Sequence, residues 1–267
     1  MKNNMFPAVM KTIGSNLDEK GRSLVDSALN IVNEKACRDA TVTMNHAMGS
    51  FSQAKAVHTE NMLRLNDINA AITRSTQERQ KALNESAEAE QSWRTRFREL
   101  RGMVTAEMKA EHVQRTASRE LAEEFTGLIA ELEIDKSRAM LAACKSGKAY
   151  VNMHLNALSI CARNEWAAVM KDISPALVRA FALRLRELEA KGEEQPQNIL
   201  YQELGEHILA QSRYYTFNME QEPVISLLGL HRPALTGVDM ELYKSPARQM
   251  ALSKELARKS EAQGIKL

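Results

Sequence analysis

The sequence predicts an all-α fold, an elongated bundle of long helices followed by an irregular, proline- and glycine-punctuated C-terminal segment. Three observations point to it. No proline falls between Pro7 and Pro175. Aromatic residues make up only 5% of the 267, while Ala, Leu, Met, Glu, Lys and Arg dominate, as in long helices and bundles. Apolar residues recur at helical spacing, and β-branched alternating runs are scarce.

The stretch Thr105 to Ile173 organises the rest. Thr105 is placed to cap a helix, with Glu107 in its first turn near the positive helix end. Leu121, Phe125, Leu128 and Leu132 step by four, three and four, which sets them on one helical face. Gly147 reads as a break or kink, after which Val151, Leu155, Leu158, Ala162, Trp166, Val169 and Ile173 resume the rhythm. An apolar stripe of this kind must be covered by partner helices.

Upstream, residues 1–20 predict a short amphipathic helix carrying Phe6, Val9, Met10 and Ile13, broken at Gly14 and Ser15. From Gly21 a helix runs through Leu24, Ala28, Ile31 and Val32, and its period loosens across Thr41 to Ser52. A second helix through Val57, Leu65, Ile68 and Ile72 leads into the polar stretch Thr73 to Gln91. With no sustained a/d seam, that stretch reads as a solvated rod rather than half of a coiled pair.

Downstream, Ser174-Pro175 is a cap-plus-proline helix start, and Lys191-Gly192 a basic last turn followed by a stop. Glu193 to Gln197 is a polar linker, and a further helix covers Ile199 to Ser212. Pro223, Gly229, Pro233, Gly237 and Pro246 break the tail into short pieces that should run over a surface. A last polar helix starts at Ser245-Pro246 and carries Met250, Leu252 and Leu256. The expected organisation is a helical extension over 1–60, a long-helix bundle over 61–190, a linker and short helix over 191–220, and the tail with its terminal helix over 221–267.

Charge and composition exclude several functions. A net charge of +2 is too balanced to argue for nucleic acid as a partner. Cys37, Cys144 and Cys161 lack CxxC spacing, so neither a zinc site nor a disulfide frame is expected, and a reducing compartment is. No apolar run approaches the ~20 residues that span a bilayer, and no signal-peptide core is evident. The chain reads as soluble and cytoplasmic.

Chemistry-bearing motifs are few. His112 and His154 have no histidine partner at metal-ligand spacing, and are expected to be structural or surface residues. Ser146-Gly147-Lys148 lacks the upstream glycine and strand of a phosphate loop. The carboxylates Glu123, Glu124, Glu131, Glu133 and Asp135 read as solvated faces rather than an acid and base. No catalytic residue, metal ligand or cofactor is expected, and an enzyme is not. Trp93, Arg94, Arg96 and Phe97 could grip phosphates while stacking on bases. The plainer reading puts Trp93 and Phe97 in a helix interface beside solvated arginines. Leu230, Arg232, Pro233, Tyr243 and Pro246 mark the tail as an interaction surface; the competing reading is that they tack the tail to the bundle.

Several motifs follow one another in a family-like order. They are Trp93-Arg94-x-x-Phe97-Arg98, His112-x-x-Arg115, Arg119-Glu120-Leu121, Ala143-Cys144-x-Ser146 and Ala149-Tyr150. Glu222-Pro223-Val224, Gly229-Leu230 and Ser245-Pro246-Ala247 complete the series. In order and spacing, from roughly Ile68 to the C-terminus, the chain resembles the capsid size-determination (Sid) proteins of satellite phages. The resemblance implies an external scaffold that binds the outside of a helper phage's major capsid protein. It implies self-association into a cage through dimer or trimer contacts, on procapsids in the bacterial cytoplasm; charge and the lack of a long apolar run already argue against a nucleic-acid or membrane partner. The tail, through Gly229-Leu230, Arg232-Pro233, Pro246-Ala247 and Met250-x-Leu252-Ser253-Lys254, is also similar to the phage polarity-suppression (Psu) proteins. That similarity implies dimers that inhibit the terminator Rho and decorate capsids.

Overall fold

The computed structural model describes residues 18–262; Phe6, Val9, Met10 and Ile13 of the expected first helix lie outside them. The chain is all-α, with no strand among the described residues. Its helices are α1 (Glu19–Glu99), α2 (Ala106–Lys171), α3 (Pro175–Ala190), α4 (Pro196–Ser212), α5 (Pro223–Leu228), α6 (Met240–Lys244) and α7 (Pro246–Ala262). Two compact units divide it. Among the described residues, one comprises 18–51 together with Met153–Pro233; the other comprises Ser52–Asn152 and 234–262.

Where two helices were expected before Trp93, a single helix of 81 residues runs without interruption. It starts at Asp18, whose carboxylate accepts from the Gly21 N–H at 2.8 Å. The loose stretch Thr41–Ser52 is helical because its inward positions, Ala47 and Phe51, are both buried. Burial there replaces a strong local period.

In the second unit, α1 and α2 pair antiparallel, since contacts advance along one helix as they retreat along the other. His58 meets Ser146 at 3.1 Å, Ser86 Oγ donates to the Arg115 carbonyl at 3.3 Å, and Ser92 Oγ to Glu111 at 3.4 Å. Buried and half-buried residues of α1 recur at steps of three and four, through His58, Asn61, Leu65, Ile68, Ile72, Ser75, Arg79, Ala82, Ser86 and Ala89. That is a coiled-coil seam. The polar stretch Thr73–Gln91 is therefore half of a coiled pair, not a solvated rod. Its seam is built from the small residues Ser75, Ala82, Ser86 and Ala89 with one half-buried arginine, Arg79, and so carries little apolar signature.

The packed face of α2 also differs from the expected one. Its buried edge runs through Met108, Ser118, Ala122, Ala139 and Ala143; of the expected stripe, Phe125 and Leu132 are half-buried along that edge, while Leu121 and Leu128 stand half exposed. Nor does Gly147 break the helix, which is continuous over 66 residues. A Cβ there would sit 3.3 Å from Leu235 and 3.4 Å from His58. Glycine is used for close packing, not for a turn.

The tail closes over this hairpin. Leu65, Ala139, Ala143, Cys144, Val238, Leu242 and Tyr243 form one core, with Met62, Ile68, Leu235 and Leu252 packed on it. Fully burying a Leu such as Leu65 is worth about 1.5–3 kcal/mol. Asp239 caps α6 by accepting from the Glu241 and Leu242 N–H groups at 2.9 and 3.0 Å. Ser245 starts α7, accepting from the Arg248 N–H at 3.3 Å.

In the first unit, His154 is fully buried, 5.8 Å from the Phe51 ring, and its Nε2–H donates to the Gly229 carbonyl at 3.3 Å. It is a structural histidine. The short helices α3 and α4 pair through buried Leu188 and Leu200, and Arg184 spans them to Glu203 at 2.7 Å. Ser174 and Pro175 occupy the expected start of α3, but the Ser174 hydroxyl makes no capping bond. Proline geometry alone sets that start.

Candidate interaction surfaces

The hairpin between α1 and α2 ends in a basic, apolar tip. Thr105 caps α2 by accepting from the Met108 N–H at 3.3 Å. On the other side, α1 is closed by two reverse hydrogen bonds: Gly102 N–H to the Phe97 carbonyl at 2.9 Å and Arg101 N–H to the Arg98 carbonyl at 3.1 Å. This is a Schellman motif, which wants a left-handed residue at its C′ position, normally glycine. Here that residue is Arg101, with φ of 51°, and the glycine follows it. Arg101 is the one non-glycine with positive φ among the described residues. The left-handed conformation costs an L-residue about 1 kcal/mol. Around it, Met103 is 70% exposed, and Leu100 and Val104 are exposed as well.

Next to the tip, Trp93 and Phe97 stack at 5.0 Å between centroids, and Arg115 lies over the Trp93 ring at 5.9 Å. Arg94 pairs with Glu90, and Arg96 reaches Glu111 at 3.1 Å. Trp93 is half-buried and meets α2 through Arg115, Phe97 is exposed, and two of the neighbouring arginines are already paired. Arg98 and Arg101 have no ion-pair partner among the described residues.

The tail residues separate. Leu230 and Pro233 are half-buried and Arg232 is exposed, all in the first unit. Tyr243 belongs to the core of the second unit, with the Lys148 ammonium 5.5 Å from its ring centroid. It tacks the tail down. Pro246 is exposed at the start of α7.

A cleft of about 640 Å³ opens in the first unit. Met44, Cys161 and Glu165 come from the long helices, and Tyr215, Phe217 and Glu222 from the segment before α5. Tyr215 and Phe217 meet edge to face at 5.0 Å. Burial, then Glu165 and Glu222, push the Cys161 thiol up from its ordinary range. Neither carboxylate has a cationic partner among the described residues.

Sequence reading missed the tip and the cleft for different reasons. The tip had one available signal, a glycine placed one residue too late for a C′ stop. The cleft is assembled from three segments far apart in the chain and leaves no local trace.

Among the described residues no cluster of His, Cys, Asp and Glu is placed to hold a metal, and no helix is long and apolar enough to cross a membrane. Fold and surface define a class: an all-α protein whose second unit is built on an antiparallel coiled-coil hairpin. Residues 79–261 match the family model described as phage polarity suppression protein (Psu). The chain belongs to that family. It is 28% identical over 211 residues to "Glycoprotein 3" of Enterobacteria phage P4, covering 76% of this chain and 86% of the relative. It also resembles a chain of the satellite phage P4 procapsid, a structure including the size determination (Sid) protein. There the TM-score is 0.69 at 25% identity, over 83% of this chain and 97% of the other.

Proposed function

We propose that this chain is an external scaffolding protein of a phage satellite. It binds the outside of a helper phage's major capsid protein and redirects assembly to a smaller capsid. The observation that carries this reading is the match to nearly the whole of a chain from a procapsid that includes a size-determination protein. The physics agrees with it. In the second unit, two helices locked by a continuous seam make a stiff pair, and a stiff element can impose curvature. A scaffold that must later leave works best through modest, partly polar contacts repeated many times. Self-association into a cage supplies the repetition. The role is structural rather than catalytic, on procapsids in the host cytoplasm.

The test is negative-stain microscopy of particles assembled from a helper capsid protein and its internal scaffold, with and without this chain. Uniformly smaller shells with added outer density are expected. Normal, bare shells overturn the reading.

A second reading is favoured by the description of the matching family model: a polarity-suppression-like protein that decorates capsids and inhibits Rho-dependent termination. It predicts normal-sized shells wearing a coat, and readthrough of Rho-dependent terminators in a capsid-free transcription assay.

A further inference from the structure

We infer that the hairpin tip of one copy docks in the acidic aromatic cleft of a second copy. This rests on the scaffold reading only in that such a scaffold must associate with itself; the residues come from the two surfaces. The tip offers two unpaired guanidiniums, Arg98 and Arg101, beside exposed Leu100, Met103 and Val104. The cleft offers two unpaired carboxylates, Glu165 and Glu222, beside the rings of Tyr215 and Phe217 and the thioether of Met44. Charge and apolar character match in both respects. A guanidinium over an aromatic face gains further from the ring quadrupole.

Arg101 strengthens the case. The chain holds an arginine in the left-handed position of a Schellman motif, where glycine would be more stable. A strained residue at an exposed tip points to a job that glycine cannot do. Placing a cation at the apex of the hairpin is such a job. The contact joins unlike surfaces, so it either closes reciprocally into a two-fold pair or builds rings and extended arrays. Opposite charges also speed encounter and fix orientation more than they add affinity.

Cysteine cross-linking tests this in the full-length chain. Met103→Cys is introduced with Cys37→Ser, leaving Cys161 in the cleft as the second accessible thiol, because Cys144 is buried. A short bismaleimide is applied at mildly alkaline pH, since the Cys161 thiol ionises late. Covalent dimers and larger species are expected on a denaturing gel. Arg98→Glu with Arg101→Glu, or Glu165→Lys with Glu222→Lys, should each reduce them at least tenfold, with helical circular dichroism unchanged.

The decisive arm mixes the two reversed chains. The introduced thiol is carried only by the acidic tip, and Cys161 is kept only in the basic cleft, the other chain being Cys161→Ser. Restored cross-linking supports the pairing. Absence of dimers from the native-charge chain, indifference to charge reversal, or failure of the mixture to restore them overturns it. Smaller particles without cross-links would leave the scaffold reading standing and sink this one. Cross-links with normal-sized particles would do the reverse.

Discussion

At the scale of single residues, the chain carries local penalties that its neighbours hold in place. Replacing Arg101 with glycine relieves the left-handed strain, so Arg101→Gly should stabilise the protein by about 1 kcal/mol, read from chemical denaturation. A loss of stability would mean that Arg101 makes a folded-state contact outweighing its backbone. His58 shows a different tension. It is buried at the seam between Ser146 and the Tyr150 ring, 5.7 Å away. The Ser146 hydroxyl donates to the Ala143 carbonyl, so His58 Nδ1–H is the donor to Ser146. Burial lowers the His58 pKa from its ordinary 6.5. The unfolded chain therefore binds a proton more readily than the folded one. The contribution of His58 to stability is complete above pH 6.5 and is lost as pH drops below it towards the folded value. In a comparison of denaturation midpoints between neutral and mildly acidic pH, His58→Gln should show the smaller drop. An equal drop in both proteins would assign the acid sensitivity to other groups.

At the scale of elements, the glycines show which parts of the helices are open and which are closed. Gly49 and Gly127 are helical, and a Cβ added at either would meet nothing within 4 Å, whereas one at Gly147 would face Leu235 and His58 at 3.3–3.4 Å. Gly49→Ala and Gly127→Ala should each raise stability by about 0.5–1 kcal/mol through helix propensity. Gly147→Val should lower it by about 1–3 kcal/mol through overpacking. Thermal melts of the three variants decide this, and a stabilising Gly147→Val would deny the close approach. The same contrast explains what could be read in advance. Helix starts at Thr105 and Ser245 and the stop at Gly192 were legible, because caps are local chemistry. The seam through Ser75, Arg79, Ala82 and Ser86 was not, because its burial comes from a helix met only after the turn at Arg101–Gly102. Periodicity weighs hydrophobicity, and a seam of small residues carries little. For the same reason Leu121 and Leu128 suggested a buried face where the packed edge lies one position round, at Ala122 and Ile129. Of the cleft residues, Glu165 and Tyr215 carried no sequence signal and Glu222 only its place in the Glu222-Pro223-Val224 motif, since only the fold brings them together.

At the scale of the whole molecule, stability and association rest on different physics and should separate. The second unit holds its tail by apolar burial: Tyr243 and Leu242 cover Cys144, which is fully buried. Tyr243→Ala should cost about 3 kcal/mol and raise the reactivity of Cys144 towards a thiol reagent. Unchanged protection of Cys144 would mean that the tail stays closed without its aromatic anchor. Contacts between copies are proposed to be ionic at exposed side chains, where salt screens strongly; the Debye length falls from about 10 Å at 0.1 M to about 3 Å at 1 M. The coiled-coil seam is mostly neutral and buried, so the same salt leaves it intact. Raising salt should therefore reduce the sedimentation coefficient of the associated protein towards that of a single chain, while helical circular dichroism stays constant. Association that persists in high salt would point instead to the exposed apolar residues of α3 and α4, among them Val178, Leu183 and Ile208. Loss of helix alongside association would mean that the long hairpin itself depends on its neighbours, and the strut would then be a product of the lattice rather than its component.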